Sequence, residues 1–257
     1  MNKSKVYTSL VLMFAATLAC GQTIINAEKN FEPGDTAFFS LSGEYEGNRG
    51  NSVVDQLDAS LATGYRFTKH TFKLMGGYST LMEDNEKILN GGYVQVRHNL
   101  SFLKKRMKSF LFYQLQFNDI LLLTKRELVG AGVRGHLLSK GDDFLDVGTG
   151  VMYELEQLDP FYLLPVETSL TKYYRMSNMV SCRLTVGEKI GVNNVLYYQP
   201  WLEDFKDFRM LNDFSISFEV LENLAVDLTL VYRYDSDPPS ALENGDMDIG
   251  TGLTLSF

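Results

Sequence analysis

Six consecutive residues, Gly130-Ala131-Gly132-Val133-Arg134-Gly135, spell the glycine pattern that cradles a pyrophosphate. That chemistry needs a strand before the glycines and a helix after them, because the helix N-terminus holds the phosphates. Here the alternation of apolar and polar residues runs straight on to Leu137. The glycines therefore read as thinning the inner wall of a strand, and no cofactor is expected. The chain has three histidines, His70, His98 and His136. No two have ligand spacing on one face, so no metal centre is expected. Only His136 falls on the polar side of its segment, near Ser139. A serine hydrolase needs Ser, His and an orienting acid within hydrogen-bond reach. A polar histidine beside a turn is the simpler reading, and no catalytic residue is assigned.

Charge is more informative. Arg66, Arg97, Arg126, Arg134, Arg175, Arg183, Arg209 and Arg233 all fall on the polar parity of alternating segments. Glu44, Glu46, Asp58, Asp146, Glu154, Glu219, Asp227, Asp235 and Asp248 share it. Facing one interior, such a set is either a network of ion pairs, since buried charges must pair, or an eyelet that sorts small solutes by charge.

The elements that carry these residues are strands. The final stretch, Asp246 to Phe257, puts Met247, Ile249, Leu253, Leu255 and Phe257 on one parity and Asp246, Asp248, Gly250, Gly252, Thr254 and Ser256 on the other. That is period two, one greasy face and one polar face. Eleven earlier segments have strand character: 36–46, 53–67, 70–82, 91–103, 109–119, 126–138, 143–156, 170–186, 189–201, 207–221 and 224–235. The alternation is blurred only in 189–201. Connections after even-numbered segments are short. Those after odd-numbered segments, 47–52, 83–90, 120–125, 157–169, 202–206 and 236–245, are mostly longer. Short periplasmic turns and longer outside loops are the habit of transmembrane barrels. A soluble barrel would have to fill its interior with the greasy parity of all twelve strands, which enclose too wide a space. Tyr45, Tyr65, Phe67, Phe102, Tyr198, Trp201, Phe208, Tyr234 and Phe257 cluster near segment ends, where aromatics anchor at headgroup level. The expected fold is all-β, a transmembrane antiparallel β-barrel of about twelve strands, in the bacterial outer membrane. The last strand, ending on Phe257, resembles the C-terminal signal of such barrels. It should close the sheet against 36–46 and be the handle for the barrel-assembly machinery.

The rest of the chain fits export. Val6 to Ala19 is apolar, follows Lys3 and Lys5, and is too short to span a bilayer as a helix. Residues 1–21 read as a signal peptide, 22–35 as a periplasmic lead-in and 36–257 as the barrel. Cys20 either leaves with the leader or is a lipidated N-terminus; Cys182, then alone, forms no disulfide framework and reads as a small apolar side chain facing lipid. With 24 Lys and Arg against 32 Asp and Glu, a nucleic-acid partner is not expected. The loop 157–169 carries Phe161-Tyr162-Leu163-Leu164 between Pro160 and Pro165. It is expected to fold over the barrel mouth and bury itself; a lid or ligand contact is the other reading.

Several short pieces together resemble a known family. They are Gly43-Glu44-Tyr45-Glu46-Gly47-Asn48 with Gly50-Asn51, Arg126 with Gly130-Ala131-Gly132, Tyr198-Gln199-Pro200, Asp207 with Arg209, and Tyr234-Asp235-Ser236-Asp237-Pro238-Pro239. In order and spacing the chain is similar to the YdiY-like outer-membrane proteins, domain of unknown function 481. The resemblance implies an outer-membrane barrel and no agreed activity. The expected function is a narrow, non-enzymatic channel for small solutes or ions, set in outer-membrane lipid, with a charged lumen. A structural or surface-interaction barrel plugged by the same charges is the alternative, and a lipid-modifying enzyme comes third.

Overall fold

The computed structural model describes residues 10–12, 36–50, 53–84, 86–103, 106–141, 143–187, 189–221 and 224–255. Twelve long strands follow one another in an antiparallel meander: β1 (Ala37–Asn48), β2 (Val54–Phe67), β3 (His70–Glu83), β4 (Glu86–Phe102), β5 (Met107–Asn118), β6 (Leu123–Lys140), β7 (Asp143–Leu158), β8 in two pieces (Leu170–Met176 and Asn178–Val186), β9 (Ile190–Pro200), β10 (Phe208–Leu221), β11 (Leu224–Asp235) and β12 (Gly245–Leu255). Each pairs with the next in sequence. Both pieces of β8 pair with β7, and the in/out alternation runs unbroken through Ser177. β8 is therefore one crossing with a local interruption. Consecutive pairing needs only tight turns, and Thr68 and Leu103 take positive φ to make them.

Register sets the two faces. Val129, Tyr153 and Tyr174 stand side by side on β6, β7 and β8, while Leu128, Glu154 and Tyr173 do so on the opposite face. The greasy parity is the exposed one: Phe39 is 71% exposed and Ile249 64%, and Leu41, Val94, Leu111, Val129, Val151 and Leu184 are exposed as well. The polar parity faces inward, where Gln95, Arg97, Gln114, Arg126, Glu154 and Arg209 are buried. This inverts a water-soluble domain, in which apolar side chains are the ones most often buried.

Three features of the fold depart from the sequence reading. First, the sheet does not close among the described residues. The free edge of β12 carries Leu10–Leu12, paired as Leu10↔Leu255, Val11↔Thr254 and Leu12↔Leu253, and β1 pairs with β2 alone. β12 and β1, expected to close the sheet, are not paired with each other. Second, two loops expected to be long are tight, because β4 and β6 extend to 17 and 18 residues. Register shifts at Leu81/Met82 and Gln116/Asn118 let these hairpins twist past the membrane-spanning length. Third, the inner face is not uniformly polar. Phe110, Phe112, Leu128, Met152, Met179, Val195, Tyr197 and Leu211 form one buried cluster inside the curl.

Glycines make room for that cluster. A Cβ on Gly130 would run into the Phe112 ring and the Met152 Cβ, and one on Gly132 into the Phe110 ring and the Thr149 carbonyl. The two rings thus lie on a wall thinned by the glycine pattern noted in the sequence. Gly130 and Gly132 sit inside β6, with no helix after them. Phe257 and residues 13–35, including Cys20 and the lead-in, lie outside the described residues.

Candidate functional site

The inner face near the loop side is built from β6, β7, β8, β10 and β11. Glu154 and Glu156 stand two residues apart on β7, so both point inward. Arg126 on β6 is directly opposite Glu156 and binds it through Nε at 2.7 Å. Arg209 on β10 reaches across the curl. Its Nη1 is 2.6 Å from Glu154, Nη2 3.1 Å from Glu156, and Nε donates to Asp235 on β11 at 2.7 Å. Arg175 on β8, 1% exposed, donates from Nη1 to Asp207 Oδ1 at 2.8 Å and from Nη2 to Oδ2 at 3.2 Å. Its Nε lies 3.5 Å from Glu154, itself 1% exposed, and its guanidinium lies over the Tyr173 ring. The result is a buried cluster of three arginines and four carboxylates. Strands β7 and β10 are not neighbours, so these bonds staple opposite sides of the curl.

A second inward cluster lies toward the turn side. Asp146 on β7 receives Arg134 at 2.6 Å and also binds Nδ1 of His136, both from β6. In register the order across β6, β7 and β8 is His136, Asp146, Ser181. A catalytic triad needs the histidine between acid and serine; here the acid is in the middle. Ser139, the serine named from sequence, stands exposed opposite Phe144. His70 and His98 face outward, their Nδ1 and Nε2 2.9 Å apart, stacked with Phe72.

The other inward charges are less enclosed. Arg97 is buried over the Phe110 ring. Arg233 holds Asp248 at 2.6 Å. Arg66, Arg183 and Asp227 are half-buried, with Arg183 donating to Asn193 at 2.8 Å. Glu44 and Glu219 are exposed. Glu156, Lys73, Asp207 and Asp213 are further charges at or near the inner face that were not among the candidates. Parity alone points to Glu156, Lys73 and Asp213, because each alternates with residues already read as inward. Asp207 sits in a loop, where period two gives no signal.

Above the clusters the loops lock together. Leu121, Leu123 and Leu158 form a buried apolar knot, against which Leu163 and Leu242 pack. Glu167 accepts from the Ser240 amide and hydroxyl, both at 2.7 Å, and from the Leu164 amide at 2.7 Å. These bonds hold its carboxyl below the usual glutamate range, the Ser240 amide contributing most. The loop after β7 thus crosses to the loop after β11. It does not bury itself, however: Phe161 is 82% exposed and Val166 89%. Its one short 3-10 turn, Pro160–Tyr162, is capped by Asp159 and leaves these side chains outside. Only Leu163 turns inward.

Aromatic residues ring the outer face at the same height. Tyr153 and Tyr174 lie 5.2 Å apart, Tyr198 and Phe208 5.3 Å, and Phe208 and Tyr234 5.6 Å, across five consecutive strands. Trp201 is not part of this girdle. It bridges to Arg175 and meets Tyr173 edge-on, on the inner side. An apolar outer belt, an aromatic girdle and a paired-charge interior are what a strand-built wall needs in a bilayer. That architecture is of the outer-membrane β-barrel type and places the chain in the bacterial outer membrane.

Comparison with known proteins gives the family. No curated protein matches the chain. Among solved structures, the one described as "KdgM porin" is 12% identical, with 86% of this chain and 99% of that one covered and a TM-score of 0.40. "NanC porin structure in rhombohedral crystal form" is 11% identical over 85% and 99%, with a TM-score of 0.46. The outer membrane channel DcaP of Acinetobacter baumannii is 7% identical over 89% and 99%, with a TM-score of 0.38. Of the residues that carried the sequence resemblance, Arg126, Gln199, Asp207, Arg209 and Asp235 build or flank the buried ion-pair cluster. Residues 45–257 match the family described as "Protein of unknown function, DUF481", and the chain belongs to it.

Proposed function

We propose that the protein is an outer-membrane barrel with a narrow passage for small solutes or ions along one side of its lumen, the other side being filled. The observation behind this reading is the contrast between the two halves of the inner face. From β5 to β11 the inward side chains are packed into the ion-pair and apolar clusters. On β1, in contrast, Ser42, Glu44 and Glu46 are exposed, and Asp58 and Ser60 opposite them on β2 are half-buried and exposed. Ser42 and Ser60 hydrogen-bond at 2.7 Å, and Gln56 donates to Asp58 at 2.8 Å. A wall of polar side chains with no apolar or ion-pair cluster over it suits a wet passage. The inward-parity charges on this wall toward its loop end, Glu44, Glu46 and Asp58, are acids, so cations should pass more readily than anions.

The plugged barrel is the second reading, favoured by the extent of the buried cluster. Planar-bilayer recording separates them: discrete current steps support the passage, and silence from folded protein supports the plug. We read the chain as non-enzymatic, since among the described residues no serine hydrogen-bonds the far side of His136, whose Nδ1 is held by Asp146. Lipid hydrolysis by the folded protein that is lost in His136→Ala would contradict this. The C-terminal strand is the proposed contact for the barrel-assembly machinery.

A further inference from the structure

Two asparagines stand on the lipid side of the wall, in the middle of their strands. Asn194 on β9 is in register with Cys182 on β8 and Phe214 on β10. Asn212 on β10 is in register with Leu196 on β9 and Tyr232 on β11. Both share the outward parity of Tyr198 and Phe208 in the aromatic girdle. The outward positions around them, Val180, Leu196, Phe214 and Leu230, are apolar. Asn194 lies four residues along β9 from Tyr198, and Asn212 four residues along β10 from Phe208. At about 3.4 Å per residue and a strand tilt of about 40°, both sit roughly 10 Å below the girdle, inside the apolar band.

At that depth there is no water, so polar groups have to find protein partners. Asn212 Nδ2 donates to Asn194 Oδ1 at 2.8 Å. That bond joins one donor to one acceptor, and each amide has capacity for more. Asn194 Nδ2 and Asn212 Oδ1 are met by no other side chain or carbonyl among the described residues. Asn178, nearer the girdle on the same face, differs. It accepts from Thr149 at 2.9 Å and donates to the Tyr198 carbonyl at 3.4 Å, so both of its ends are engaged within one copy. The Asn194–Asn212 pair therefore offers a donor and an acceptor side by side to whatever lies against the wall. Acyl chains can answer neither. A second copy of the same pair, turned by a two-fold axis, answers both.

We propose that the outward face of β8, β9 and β10 around Asn194 and Asn212 is the contact between two copies of this chain in the membrane. Asn194 Nδ2 of one copy donates to Asn212 Oδ1 of the other, and symmetry supplies the reverse bond. Val180, Cys182, Leu196 and Phe214 pack around the paired amides and keep lipid from them. This rests on the membrane placement above and is independent of whether the lumen conducts.

The test is sedimentation equilibrium of the full-length protein, extracted in mild, density-matched detergent. Folding is checked by the shift between unheated and heated protein on a denaturing gel. Wild type should populate a dimer in reversible exchange with monomer. The N194L/N212L variant removes both amides together, which leaves neither alone in lipid and should keep the heat-shifted band. Its dimer should be weaker by about tenfold or more. Leu253→Ala, on the outward face of β12, should leave dimerisation as in wild type. If leucine at both sites prevents folding, N194V/N212V makes the same test with residues that suit strands. Folded wild type that stays monomeric at every concentration overturns the proposal, as does a folded double variant that dimerises as tightly as wild type. So does a different polypeptide that co-purifies in place of a second copy and is lost from N194L/N212L. Monomers that conduct would sink this inference and leave the passage standing; dimers that carry no current would do the reverse.

Discussion

Arg209 touches carboxylates from two strands: Glu154 and Glu156 on β7, three pairings away, and Asp235 directly opposite it on the neighbouring β11. Truncating it leaves three buried acids short of a partner. Removing one member of a buried pair costs about 3–5 kcal/mol. Arg209→Ala should therefore lower the unfolding free energy of the vesicle-inserted protein by that order, read as a lower urea midpoint. Arg49→Ala breaks an exposed pair to Asp55, worth roughly 0–1 kcal/mol, and should leave the midpoint near wild type. Equal effects from the two would show that the Arg209 cluster is solvated.

Glu167 offers a test in pH. Its carboxyl is depressed in the folded state, so its bonds to Ser240 and Leu164 are fully present above the ordinary glutamate value of 4.5. They are lost as pH falls through the lower folded value. The Ser240 amide resonance should titrate below 4.5, and that titration should vanish in Glu167→Gln. A midpoint at or above 4.5 would mean that the latch between the two loops is open in solution. At this scale parity made Arg126, Arg134, Arg175, Arg209 and Asp146 legible as inward residues. It could not say which pairs would meet, because Glu154 and Arg209 face each other only after three intervening strand pairings curl the sheet.

The strands themselves were readable because a bilayer enforces period two on every crossing. All twelve segments appear, and the blurred ninth has a local cause. Asn194 and Asn212 both face outward on β9 and β10, where Asn212 donates to Asn194 at 2.8 Å. Each satisfies the other on the lipid side, and polar residues consequently stand where apolar ones were expected. Strand ends were less legible, since a hairpin that projects past the membrane keeps its alternation into what looks like loop. The inner apolar cluster was missed for a different reason. Phe110, Phe112 and Met152 sit on the polar parity, and only register places Phe112 and Met152 on either side of Gly130. The glycines opposite them give an element-scale prediction. Gly132→Val would drive a branched side chain into the Thr149 carbonyl and the Phe110 ring, so the sheet could not keep its bend. That variant should lose the heat-shifted gel band. Gly43→Val, where the nearest atom is the Asp58 carbonyl at 4.0 Å, should keep it.

For the whole molecule, the sequence reading of an inside-out barrel agrees with the inverted distribution of exposed and buried residues. The inward charges are not evenly spread. Charges are packed and neutralised between β6 and β11, and open and acidic on β1 and β2. That asymmetry arises from where the aromatic and glycine residues of β5, β6 and β7 fall, which no count of charges reveals. It also makes the width of any passage a property of about half the lumen. The measurement that addresses this most directly is single-channel recording of folded protein in a planar bilayer under a salt gradient. The account predicts small discrete steps with a reversal potential favouring cations, the preference weakening in the E44Q/E46Q variant. Absence of steps from fully heat-shifted protein, or an anion preference unmoved by that variant, would contradict it.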